Sequence, residues 1–189
     1  MDTEIKQRIE FLCRVDALKG VDRKTRPTNM QRFENSAEHS WHVVLAAMVL
    51  APNSNAPVNL LRVLKMLAIH DIPEIETGDH FHYAKGDQAG LVEQEDEAAK
   101  KLFGLLPPGD RDDLLEIFRE FQARESNDAK FAHAVDRVAA FLLNSKQGGG
   151  TWKEHGVTLE MIQKHNGHMA EGSQELWRAA QELYVEAMK

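Results

Sequence analysis

Apolar residues return every three or four positions along this chain, segment after segment, and no stretch alternates apolar and polar residues over a useful length. That spacing marks helices that bury one face. Residues 3–18 place Ile5, Ile9, Leu12 and Val15 on one stripe, and residues 36–50 do the same with Val43, Ala46, Ala47 and Leu50. Ahead of the second segment stand Asn35 and Glu38, spaced as in a capping box. Residues 58–71 carry Leu60, Leu61, Leu64, Leu67 and Ala68 up to His70-Asp71, and Pro73 then bends or ends that helix. Further helices are expected over 88–103, 110–123 and 127–146, the last closed by Gly148-Gly149-Gly150. Shorter ones are expected near 158–166 and 173–188, with Ser173 as an N-cap. The expectation is an all-α bundle forming a single domain. Its core would occupy residues 1–147, with a C-terminal helical extension, 148–189, packed on it.

A chain of 189 residues can bury a core without staples, and 42% hydrophobic with 28% charged residues describes a globular protein. The run "VVLAAMVLA" at 43–51 is far too short to span a bilayer. The start "MDTEIKQRIE" is polar and mixed in charge, unlike a signal or transit peptide. Cys13 stands alone, which excludes an internal disulfide and suits a reducing compartment, so a cytoplasmic setting is expected. The net charge of −7 argues against a nucleic-acid polymer as partner. One segment departs from that balance: Lys19, Arg23, Lys24, Arg26 and Arg32 face only Asp22. A patch that small suits one phosphorylated small molecule, although most charge clusters are simply solvated.

Three places combine metal-ligating side chains with helical positions that should face inward: His39, the pair His70-Asp71, and Asp136. Asp136 is the most telling. Its helix runs Phe131, Ala134, Val135, Val138, Ala139, Leu142, which puts a carboxylate at the edge of an apolar stripe. An unpaired carboxylate is costly to bury there, and a cation or an arginine would remove the cost. Taken singly, each residue is more often structural: a helix-tip histidine, a capping aspartate, an aspartate paired with Arg137. Imidazoles and carboxylates together offer nitrogen and oxygen ligands suited to a borderline divalent cation. Glu74, four residues after His70, would share its face on a continuing helix.

The order H, HD, D on three separate helices resembles the HD-domain metal-dependent phosphohydrolases, and most closely their 5′-deoxynucleotidase-like branch. The stretches that carry the resemblance are "RFENSAEHS" (32–40), "HDIPEIETGD" (70–79) and "VDR" (135–137), spread over roughly residues 1–147. It implies an HD-domain helical bundle that binds one divalent ion, Mn, Co, Zn, Fe, Ni or Mg, through His39, His70, Asp71 and Asp136. It also implies phosphate release from small molecules, deoxynucleoside 5′-monophosphates first among them. In that family the glutamate matching Glu74 acts in acid–base catalysis. The arginine matching Arg23 holds phosphate, and the aspartate matching Asp79 meets the sugar and disfavours a 2′-hydroxyl. The tryptophan that usually follows the arginine is absent from "RKTRPTN".

Two other readings fit the same scaffold. A di-iron oxygenase would need further histidine ligands, for which His80, His82 and His133 are the candidates. A non-catalytic HD-like binding module would be expected to have lost part of the ligand set, which is complete here. A homodimer is expected, both because the resembling family tends to form one and because Leu102, Phe103, Trp152, Leu176 and Trp177 exceed what a small bundle needs.

Overall fold

Helix α7 (Asn127–Lys146) is apolar on almost every side, and the molecule is built around it. Buried along it are Phe131, Ala132, Ala134, Val135, Val138, Ala139 and Phe141, with Asp136 among them. The computed structural model describes residues 2–80, 83 and 88–189. Its other helices are α1 (Thr3–Val15), α2 (Ser36–Leu50), α3 (Leu60–Ile69), α4 (Glu74–Thr77), α5 (Gln88–Phe103), α6 (Pro108–Ala123), α8 (Gly150–Glu154), α9 (Leu159–Asn166), α10 (Met169–Gly172) and α11 (Gln174–Ala187). Helices α2, α3, α6, α8, α10 and α11 all pack on α7. The many alanines of α7 let these neighbours come close, and burial of their apolar faces is what holds the bundle together. Among the described residues there is no strand, only an isolated antiparallel bridge between Asp22 and Asn35.

The helix ends follow their capping chemistry. Asn35 Oδ1 accepts from the Glu38 amide at 2.9 Å and Glu38 Oε2 accepts from the Asn35 amide at 3.3 Å, so the box ahead of α2 is closed. Ser126 Oγ caps α7 and Ser173 Oγ caps α11, each accepting from an amide at 3.1 Å. Helix α6 begins two residues earlier than the periodicity suggests, because Pro108 stands at a first-turn position where its missing N–H costs nothing. The α3 ladder stops at Ile69, and residues 70–73 continue as tight turns into α4. Helices α4, α8 and α10 are too short for any periodicity to reveal.

Gly149, with φ of 101°, turns the chain from α7 into α8 in a conformation that a side chain would strain. Beyond that turn Trp152 packs edge-on between Phe141 and Tyr184, with both ring centroids at 5.1 Å. Leu102, Phe103 and Leu176 are likewise buried within the protomer, and Phe103 meets Phe11 and Phe118. These four residues therefore build the core and do not offer a surface, and Trp177, the fifth from which a dimer interface was expected, is half-buried against that core. Large apolar groups stay exposed on several helices, among them Leu12 on α1, Leu61 on α3, Val92 on α5 and Val185 on α11, while α2 exposes four, Trp41, Leu45, Met48 and Val49. Among the described residues no helix is long and apolar enough to cross a membrane.

Candidate metal centre

The inward stripe of α2 runs Ser36, His39, Ser40, Val43, Ala47, so its first turns deliver polar groups and its later ones deliver core. His39 is thereby driven to full burial, 1% exposed, against the middle of α7. His70 sits at the C-cap of α3, its amide still bonded to Met66, and Asp71 follows in the turn. The capping box, the α3 terminus and the α7 interior thus bring three separate pieces of sequence to one point.

At that point Asp136 Oδ1 lies 2.8 Å from His39 Nε2 and 3.7 Å from His70 Nε2. Asp71 Oδ1 lies 3.0 Å from His70 Nε2, and its other oxygen lies 4.0 Å from His39 Nε2. Donor atoms of His39, His70 and Asp136 all fall within 4.8 Å of one another. Asp136 Oδ2 is held by Arg137, Nε at 3.0 Å and Nη2 at 2.7 Å. Cation and arginine, the two ways of burying this carboxylate, are therefore both provided for. Burial raises the Asp136 pKa, but Arg137 and the two histidines outweigh it and hold the carboxyl well below the usual range. It is ionised.

Both histidines turn Nε2 toward Asp136 Oδ1. His70 Nδ1–H donates to the Leu67 carbonyl at 2.9 Å, which leaves Nε2 as the ring atom that faces the acids. That Nε2 is buried without a well-aligned hydrogen bond. Burial lowers the His70 pKa, yet Asp71 and Asp136 reverse this and raise it to about 9: the pocket draws positive charge to this nitrogen. Burial and Arg23 push His39 down to about 4, so its ring is neutral. The Phe121 ring, 5.2 Å from His70, walls that imidazole in place. An orphaned imidazole nitrogen, a neutral imidazole and an ionised carboxylate fit a divalent cation, and Asp71 lies beside them.

Around this core lies a cleft of about 330 Å³, lined by Arg23, Glu74, Asp79 and Tyr83 among others. Pro73 keeps a helical conformation, so the chain is not redirected and Glu74 stays on the Asp71 side. Glu74 Oε2 accepts from Ser36 Oγ at 2.5 Å. Burial and the neighbouring Asp71 push the Glu74 carboxyl up to about 8 despite Arg23. Arg23 is ringed by acids: Asp71 Oδ2 at 3.0 Å, Glu34 Oε2 at 3.6 Å and Asp79 Oδ1 at 3.7 Å. Gly78, with φ of 76°, supplies the turn that swings Asp79 into this ring.

Among the described residues, His80 and His133 do not join the cluster of His39, His70 and Asp136. His133 Nε2 donates to the Phe121 carbonyl at 2.8 Å and its ring stacks on Phe121 at 3.9 Å, so that nitrogen is committed to packing. His80 is exposed, and His82 lies outside the described residues. Two participants escaped the sequence reading. Ser36 follows the N-cap, and Glu34, buried at 4% exposure, precedes it. Glu34 does stand in the quoted stretch "RFENSAEHS", but a loop acid is ordinarily solvated and periodicity says nothing of it.

The HD domain family model matches residues 15–177. Human 5′-deoxynucleotidase HDDC2 is 30% identical over 142 residues, covering 73% of this chain and 67% of that protein. The mouse protein of the same name is 29% identical over the same span, 68% of its length. Among solved structures, a predicted metal-dependent phosphohydrolase from Magnetospirillum magnetotacticum MS-1 superposes with a TM-score of 0.91 at 40% identity, covering 98% of this chain and 96% of that one. An HD-domain phosphohydrolase from Listeria innocua shares the fold alone, with a TM-score of 0.59 at 13% identity over 95% of this chain and 99% of that one. An HD-domain match across most of the chain thus meets a centre of two histidines and an inward aspartate on three helices, and the chain belongs to the HD-domain family.

Proposed function

We propose that this metal-dependent phosphohydrolase removes phosphate from deoxynucleoside 5′-monophosphates, using one divalent ion held by His39, His70, Asp71 and Asp136. The observation that carries the reading is the partnerless His70 Nε2, aimed at two carboxylates within reach of a buried arginine. The names of the relatives support the choice of substrate. When bound, the ion supplies positive charge that polarises the phosphoryl group and acidifies water. Arg23 presents its guanidinium to the phosphate oxygens, a role its planar fork fits. Hydrolysis takes one proton from the attacking water and gives one to the leaving 5′-oxygen, and Glu74 is assigned this transfer. Its carboxyl, raised to about 8, binds and releases a proton near neutral pH with little bias.

Asp79 is assigned to the sugar. A 2′-hydroxyl could donate to its carboxylate, so exclusion of ribose rests on crowding and not on charge. Asp79→Ala should then narrow the preference for deoxy over ribose substrates, read as kcat/KM for paired nucleotides; an unchanged ratio makes Asp79 a structural acid. With no tryptophan after Arg23, base selectivity is loose. The native setting is cytoplasmic and the assembly a homodimer. The direct test is a phosphate-release screen over deoxynucleotides, ribonucleotides and sugar phosphates with Mn, Co, Zn, Fe, Ni and Mg. Release only from substrates without a nucleoside would overturn the nucleotide reading.

A further inference from the structure

The loop before α2 carries a buried acid that the reaction as assigned does not use. Backbone pairing fixes it: Arg23 N donates to Glu34 O at 2.8 Å, Glu34 N to Thr25 O at 2.9 Å, and Ser36 N to Val21 O at 2.9 Å. Residues 21–25 therefore run beside 34–36, and Glu34 is set directly behind Arg23. Its side chain is turned inward, where Oε2 accepts from Thr25 Oγ1 at 3.0 Å. The same oxygen lies 3.6 Å from Arg23 Nε and 3.7 Å from His39 Nδ1. Arg23 Nε is itself buried with no hydrogen-bond partner. One carboxylate oxygen thus faces the back of both the phosphate-binding arginine and a metal-ligating histidine.

The consequence lies in the His39 tautomer. With Nε2 at 2.8 Å from Asp136 Oδ1, the ring proton is shared on that side. When Nε2 gives its lone pair to a cation, the proton has to reside on Nδ1, which faces Glu34. A carboxylate there favours the metal-binding tautomer and fixes the ring plane, as acids behind metal-bound histidines do. We propose that Glu34 is a positioning residue that serves both halves of the site, turning His39 toward the metal and seating Arg23 for phosphate. This rests on the metal and phosphate roles proposed above. It makes the two binding events mutually dependent, since phosphate that orders Arg23 also orders Glu34, and linkage requires the effect to be reciprocal.

The test uses Glu34→Gln, which keeps volume and the acceptor for Thr25 but removes the charge. Metal-free protein is titrated calorimetrically with Mn²⁺, with and without inorganic phosphate. Metal affinity is expected to fall about 10- to 100-fold, the scale for losing such a supporting carboxylate. Phosphate is expected to strengthen Mn²⁺ binding by the parent, and this strengthening is expected to disappear in Glu34→Gln. Thr25→Val, which frees Glu34 but keeps its charge, is expected to weaken Mn²⁺ several-fold. Parent-like Mn²⁺ affinity in folded Glu34→Gln, with only thermal stability lowered, would overturn the proposal and leave Glu34 a structural acid. If Glu34→Gln does not fold, Thr25→Val decides, and parent-like affinity there overturns it equally. Because metal binding is read without turnover, failure of the nucleotide reading would show separately, as a parent that binds Mn²⁺ and releases no nucleotide phosphate.

Discussion

Glu74 and Asp136 are both buried acids of one cleft, yet their surroundings drive them to opposite protonation. Asp136 has Arg137 and two imidazoles against it and stays ionised; Glu74 has Asp71 and Asp79 nearby and holds its proton more tightly. The first suits a ligand, the second a proton carrier. Two predictions follow from this division. Glu74→Gln should keep the metal content of the purified protein and slow turnover by about two to four powers of ten. Loss of metal along with activity would make Glu74 a ligand instead. Asp136→Ala should abolish stoichiometric metal binding while circular dichroism retains most of the helix signal, because α7 is held by its apolar faces. Parent-like metal content in that variant would remove Asp136 from the site.

Among the elements, the helix pattern was legible wherever a segment had several turns to display it: 36–50, 88–103 and 127–146 agree with α2, α5 and α7 to the residue. His39, His70 and Asp136 could be picked out because they interrupt apolar stripes, where a polar group needs a reason. The segment 21–35 could not be read this way. Its order comes from backbone bonds to a distant partner in sequence and from the closed box at Asn35, neither of which leaves a period. That is why charge alone marked Arg23 only as one member of a basic segment, resemblance singled it out, and Glu34 was not marked at all. The α6–α7 junction yields a prediction of its own. His133, stacked on Phe121, is pushed down to about 3 by burial, against 6.5 for an ordinary imidazole. Its folded pKa is depressed, so the unfolded chain takes the proton first. Stability is unaffected above about pH 6.5 and lost as pH falls from there toward 3. Urea unfolding of metal-free protein should show this slope, and His133→Gln, whose amide can still reach the Phe121 carbonyl, should flatten it. An equal slope in both proteins would mean that His133 is not held neutral.

At the scale of the whole molecule, α2 has two working faces. The inner one presents His39 and Ser36 to the cleft, and the outer one leaves Trp41, Leu45, Met48 and Val49 exposed, with Trp41 at 67% and Val49 at 68%. Their spacing of four, three and one puts them on one side of the helix, a continuous apolar ridge that a monomer has no reason to show to water. Four of the five residues from which a dimer was expected are spent on the core and Trp177 is half-buried against it, so the homodimer we propose is assigned to this ridge. Docking there would brace the outside of the helix that carries a metal ligand, without covering the cleft on its other side. Light scattering of the parent at micromolar concentration should therefore give twice the chain mass. The pair Trp41→Glu and Leu45→Glu should give the single mass, since a charge buried at the centre of such a contact has no partner. Both substitutions point away from the core, so the monomer should remain helical and still bind its metal. A parent that is monomeric across that range would sink the assignment, and a doubly substituted protein that stays dimeric would move the interface off α2.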